Sequence, residues 1–139
     1  MQIKTQKALQ TLLKVKTADL EQCLKERQEI SLVIDMLHHE KELTQERLDK
    51  EKAFQSDPSA TATLHHFAKA CDDKIKAIDG EIASHLVALD KLQHTLLALH
   101  RTIKRFEFLL EKEALNRQKE AKKEEQKTLD EIALRRLRG

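Results

Sequence analysis

Between Leu64 and Leu110, apolar side chains recur at alternating steps of mostly four and three residues. The series runs Leu64, Ala68, Cys71, Ile75, Ile78, Ile82, His85, Leu89, Leu92, Leu96, Leu99, Ile103, Phe106 and Leu110. Thirteen of these fourteen positions are apolar. A 3.5-residue period keeps one stripe of a helix turned towards a partner helix, as in a coiled coil. A less regular stripe precedes it: Leu9, Leu13, Leu20, Leu24, Arg27, Ile30, Ile34, Leu37, Lys41, Thr44 and Leu48, widened by Leu12, Val33, Met36 and Leu43. Between the two lies Ser56-Asp57-Pro58-Ser59. The residue before a proline is pushed away from helical angles, and the proline itself has no N–H to donate. Ser59 or Thr61 is placed to cap the helix that follows. The pattern predicts helix one over about 3–54, a tip at about 55–60 and helix two over about 61–137. The expected fold is all-α: one antiparallel two-helix coiled-coil hairpin spanning the chain, with an overhanging C-terminal helix.

Folding back near Pro58 sets Leu48 opposite Ala68, Ile34 opposite Ile82, Leu20 opposite Leu96 and Leu13 opposite Ile103. The seam of helix two then ends at Leu110, opposite the start of helix one, so two separately read features agree on the pairing. The same register puts Cys23 and Cys71 about 30 Å apart at 1.5 Å per residue, too far for a disulfide, and both are expected as free thiols. After Leu110 the seam positions become Glu113, Arg117, Glu120, Glu124 and Lys127. Opposite charges at helical spacing, such as Glu113 and Arg117, support this segment. A helix polar all round bridges solvent or awaits a partner. It leads to Leu129, Ile132, Ala133 and Leu137, a short apolar stripe that the hairpin cannot cover.

Composition narrows the function. Of 139 residues 36% are charged, Trp and Tyr are absent and only two are Gly, which suits a narrow buried stripe rather than a globular core. A glycine-rich phosphate loop cannot be built. His38-His39 and His65-His66 are adjacent pairs that point in different directions on a helix, without the i, i+4 spacing and further ligands of a metal site. No catalytic set and no cofactor are expected; His85 and Arg27 read as polar seam residues that fix register. No apolar run reaches the ~18 residues of a membrane span, and the N-terminus lacks a signal core. With two cysteines read as reduced, the expected location is cytoplasmic. Net charge is +2, yet Lys4, Lys7, Lys14 and Lys16 occur in the first eighteen residues without an acid. The hairpin would set them beside Arg101, Lys104 and Arg105, making a basic open end, with Arg135, Arg136 and Arg138 beyond. No stacking aromatics accompany these charges, so an acidic protein surface is expected as partner rather than nucleic acid.

The layout, together with Glu125-Gln126-Lys127-Thr128-Leu129-Asp130-Glu131-Ile132-Ala133 and the arginines after it, resembles the FliJ family of flagellar type III export proteins. A second match lies after the tip, at His66-Phe67-Ala68-Lys69-Ala70. The resemblance implies a stalk-like coupling protein, like the central stalk of rotary ATPases, whose end carrying both termini enters the ring of the export ATPase. It also implies contact with the cytoplasmic domain of the membrane export gate and with substrate chaperones, and a peripheral location at the inner face of the cytoplasmic membrane through those partners. On that analogy the candidate protein-binding residues are Arg117, Gln126, Lys127, Leu129, Asp130, Glu131, Ile132, Arg135 and Arg136, beside the basic open end. The alternatives are the equivalent stalk of a virulence-type type III secretion system, a generic coiled-coil scaffold, and a helical arm that grips RNA.

Overall fold

The computed structural model describes residues 3–54 and 61–138. It is all-helical, with α1 at Ile3–Phe54 and α2 at Thr61–Arg138, packed against each other as an antiparallel hairpin. The tip with Asp57, Pro58 and the cap candidate Ser59 lies outside the described residues. The chain divides into two compact units, one formed by Glu21–Leu96 and the other by Met1–Leu20 with Leu97–Gly139.

In the Glu21–Leu96 unit the core is a single seam. Ile34, Leu37, Ile78 and Ile82 form one buried cluster, with Ile30 and Leu89 packed against it. Leu48 and Cys71 are buried along the same faces. Each such aliphatic side chain withdrawn from water contributes roughly 1.5–3 kcal/mol, which is what opposes the conformational entropy of ordering two helices. Polar side chains at seam positions are accommodated locally. Thr44 is buried, and its hydroxyl donates to the Glu40 carbonyl at 2.9 Å. Lys41 is half-buried, and its Nζ donates to Asp79 Oδ1 at 2.7 Å. Lys74 Nζ lies 3.3 Å from Glu40 Oε1 across the same pair of helices. Charges this exposed add only ~0.2–1 kcal/mol each, but they fit one register and oppose slippage.

The helix-one face differs from the expected one in detail. Cys23, not Leu24, is the half-buried residue at that turn, and Arg27 is exposed. A step of three from Leu20 followed by four keeps the alternation; a step of four to Leu24 rotates off it. Leu12, Val33, Met36 and Leu43 do not widen the seam but face solvent. Two helices make one line of contact, and a second parallel row on either helix has nothing to pack against. Both cysteines are free, Cys71 buried and Cys23 half-buried. Gly80 is in the middle of α2, and a Cβ built there would meet nothing within 4 Å.

In the other unit the half-buried residues of α1 are Gln6, Leu9, Leu13, Lys16 and Leu20. Those of α2 include Leu99, Phe106, Leu109 and Leu110, with Ile103 buried. Burial runs one seam position beyond the apolar series: Glu113 is only 6% exposed.

Candidate protein-binding site

All the residues singled out for binding fall in the unit of Met1–Leu20 and Leu97–Gly139. Beyond Glu113, every residue from 114 to 138 is helical and exposed. Arg117 Nε lies 3.8 Å from Glu113 Oε1, one turn away, so Arg117 belongs to the end of the seam as much as to the overhang. Further along, Gln126 Nε2 donates to Asp130 Oδ1 at 3.1 Å, and the Thr128 hydroxyl donates to the Glu124 carbonyl at 2.9 Å. These local bonds align the helix surface around Leu129, which is 59% exposed, and Ile132, at 43%. Leu134 and Leu137 are exposed as well. Lys127, Glu131, Arg135 and Arg136 are exposed on the same segment, and Glu131, Leu134, Arg135 and Arg138 line a shallow depression.

The basic set is carried on both helices of this unit. Lys4, Lys7 and Lys14 on α1 and Arg101, Lys104 and Arg105 on α2 are exposed, whereas Lys16 takes a half-buried seam position. A lysine there keeps its stem against apolar neighbours and its ammonium in water. The structure does not bring the two sets together: Arg105 and Leu129 are separated by roughly 36 Å of continuous helix at 1.5 Å per residue, and the exposed aliphatic side chains have Arg135, Arg136 and Arg138 as their neighbouring cations. Among the described residues, no group of three or more His, Cys, Asp or Glu is arranged to hold a metal. No described helix is long and apolar enough to cross a membrane.

A second exposed surface was not read from the sequence. On α1, in the Glu21–Leu96 unit, Val33, Met36, Leu37, His39, Glu40 and Leu43 line an open apolar groove. The signal is present in the sequence: Met36, His39 and Leu43 follow steps of three and four, a helical stripe beside the seam, whose buried Leu37 also lines the groove.

The fold and these surfaces define a class, the antiparallel helical-hairpin coiled coil with an uncovered, cation-bearing end. Within that class, the family model described as the flagellar FliJ protein matches residues 5–139. The chain belongs to the FliJ family and is a component of flagellar type III protein export. No curated protein and no solved structure matches it.

Proposed function

We propose that the chain acts as a stalk-like coupling protein of the flagellar export apparatus. It binds the export ATPase ring and the cytoplasmic domain of the membrane export gate, with substrate chaperones as further partners. It works in the cytoplasm, held at the inner face of the membrane through those partners, and carries out no catalysis of its own. Paired helices give a stiff element for transmitting position; the uncovered end gives it somewhere to hold. The observation that carries this reading is the exposure of every residue from 114 to 138, with Leu129, Ile132, Leu134 and Leu137 among them. Aliphatic side chains grouped on an exposed helix end, beside Arg135, Arg136 and Arg138, are what a partner would cover.

The test is co-purification of the full chain, and of a chain lacking residues 125–139, with the export ATPase and with the gate's cytoplasmic domain. The shortened chain is expected to lose at least one of the two partners while keeping its helical circular dichroism in proportion to its length. Retention of both partners at full strength overturns the assignment of the working surface to this end.

A further inference from the structure

Around the axis of α2, the charges of residues 97–126 fall on separate sides. A helix turns about 100° per residue, and on that spacing Leu97, Phe108 and Leu115 share one line. Arg101, Arg105, Lys112, Lys119 and Lys123 follow one side of the line, Lys104 and Lys122 the other. This arc, about 120° wide, holds a single acid, Glu111 at its edge. The remaining two-thirds of the circumference carries one cation, Arg117, against Glu107, Glu113, Glu120, Glu124 and Glu125. The seam residues Leu99, Ile103, Phe106 and Leu110 lie opposite the arc, which therefore faces away from α1. All seven of its cations are exposed, as are Leu97, Phe108 and Leu115. Among the described residues, none of the seven makes an ion pair.

We propose that this face of α2 rests on an anionic lipid surface. Leu97, Phe108 and Leu115 enter the boundary between headgroups and acyl chains, and the two rows of cations meet the phosphates on either side. Long lysine and arginine stems let the charges stay at headgroup level while the midline is immersed. The spacing of the midline favours lipid over a protein helix. Its apolar residues are eleven and seven positions apart, about 16 and 10 Å, whereas a packed helix pair needs an apolar side chain every three or four residues. A fluid surface asks for no interlocking shape. Nucleic acid is disfavoured because one phenylalanine makes no platform for successive bases.

The face ends where Asp130 returns an acid to the same side. The aliphatic stripe at Leu129 and Ile132 lies beyond its last cations, so lipid and a protein partner at the C-terminal end take different residues. Arg101, Lys104 and Arg105 of the basic set belong to the lipid-facing arc; Lys4, Lys7 and Lys14 are on the other helix. Contact with lipid is thus direct and additional to any attachment through export partners.

Co-sedimentation of the full chain with vesicles tests this. Vesicles of phosphatidylcholine alone are compared with vesicles containing about 30% phosphatidylglycerol, at about 0.1 and 0.5 M NaCl. The chain is expected to bind the anionic vesicles at low salt, to come off them at high salt and to ignore the neutral ones. Lys112→Gln with Lys119→Gln should weaken binding about 25-fold, at roughly five-fold per cation. Lys50→Gln with Lys52→Gln removes the same charge from exposed positions of α1 and should leave binding within about two-fold. Unchanged circular dichroism verifies that the helices persist in both. The chain has no Trp, so Phe108→Trp supplies a single indole, whose emission should shift to the blue on anionic vesicles only. Failure to bind anionic vesicles overturns the proposal and leaves the face to an acidic protein. Equal weakening by the two lysine pairs overturns it too, because net charge alone would then account for binding. Unshifted emission from a vesicle-bound chain overturns the immersed midline.

Discussion

Leu37 and Met36 are neighbours in sequence, Leu37 within the buried seam and Met36 outside it, and replacing each by alanine separates the packed face of α1 from an exposed one. Leu37 is 8% exposed and Met36 is 71% exposed. Leu37→Ala removes three carbons from the cluster with Ile34, Ile78 and Ile82; at ~0.8 kcal/mol per buried methylene this costs ~2.4 kcal/mol. Large-to-small changes in thick cores cost 2–5 kcal/mol because a cavity remains. Here the seam is one side chain deep and open on both flanks, so neighbours can close in, and the total is expected near the low end, about 2–3 kcal/mol. Met36→Ala withdraws a side chain that is already mostly in water, and alanine's better helix propensity offsets part of the small loss; the net should lie within ~0.5 kcal/mol of zero. Urea titration followed by circular dichroism at 222 nm reads both. With a slope of ~2 kcal/mol per molar urea, Leu37→Ala should lower the midpoint by about 1–1.5 M, and Met36→Ala should barely move it. Equal shifts, or a larger shift for Met36→Ala, would refute the assignment of the buried face.

Two further substitutions examine other parts of the Glu21–Leu96 unit. Gly80→Ala adds a methyl group into open space and removes the backbone entropy cost of glycine, so stability should rise by ~0.8–1 kcal/mol in the same titration; no gain would mean that the helix at that point is not the one described. A double-mutant cycle on Lys41 and Asp79, whose side chains are 40% and 50% exposed, should give a coupling of ~0.2–1 kcal/mol that fades by 1 M NaCl. A salt-independent coupling would show that the pair acts through packing and not charge.

The paired faces were legible in the sequence because a two-helix coiled coil buries one stripe, and a stripe with a 3.5-residue period is visible as spacing. All fourteen helix-two positions read from that spacing are buried or half-buried. Helix one was less legible where apolarity and spacing disagree. Leu24 is more apolar than Cys23, yet Cys23 continues the alternation from Leu20 and is the one half-buried. Val33, Met36 and Leu43 attracted the same misreading: apolar residues next to a seam look like part of it until the helix is shown to have a single neighbour. The Glu113–Arg117 pair was readable from its spacing, whereas the burial of Glu113 was not, because a carboxylate at the seam's last covered turn looks the same in sequence as one in the overhang. The uncovered C-terminal stripe was legible from apolar residues that outrun the pairing.

The face on which that last stripe lies bears on what it is for. If the end of α2 were merely a stretch of seam without a partner strand, its apolar residues would continue the seam's register. They do not at first: the positions in register after Glu113 are Arg117, Glu120, Glu124, Lys127 and Glu131, all charged and all exposed. Leu129, Ile132 and Ala133 fall between them, on a face turned away from the one that packs against α1. Extending α1 to cover the overhang would therefore bring it against charges and leave the aliphatic stripe wet. The segment holds its helix without such cover because it begins inside the seam. The unfavourable first turn, with a nucleation constant of roughly 10⁻³, is already made by the packed part of α2. Each further residue of a Glu-, Lys- and Ala-rich run then adds at close to no net cost. A partner that docks on Leu129 and Ile132 meets a helix already formed and aligned by the seam, and so avoids most of the ordering entropy that a disordered tail would lose on binding. On the proposed function, the charged turns between Glu113 and Leu129 would serve as a spacer that sets the aliphatic face at a fixed rotation from the packed one.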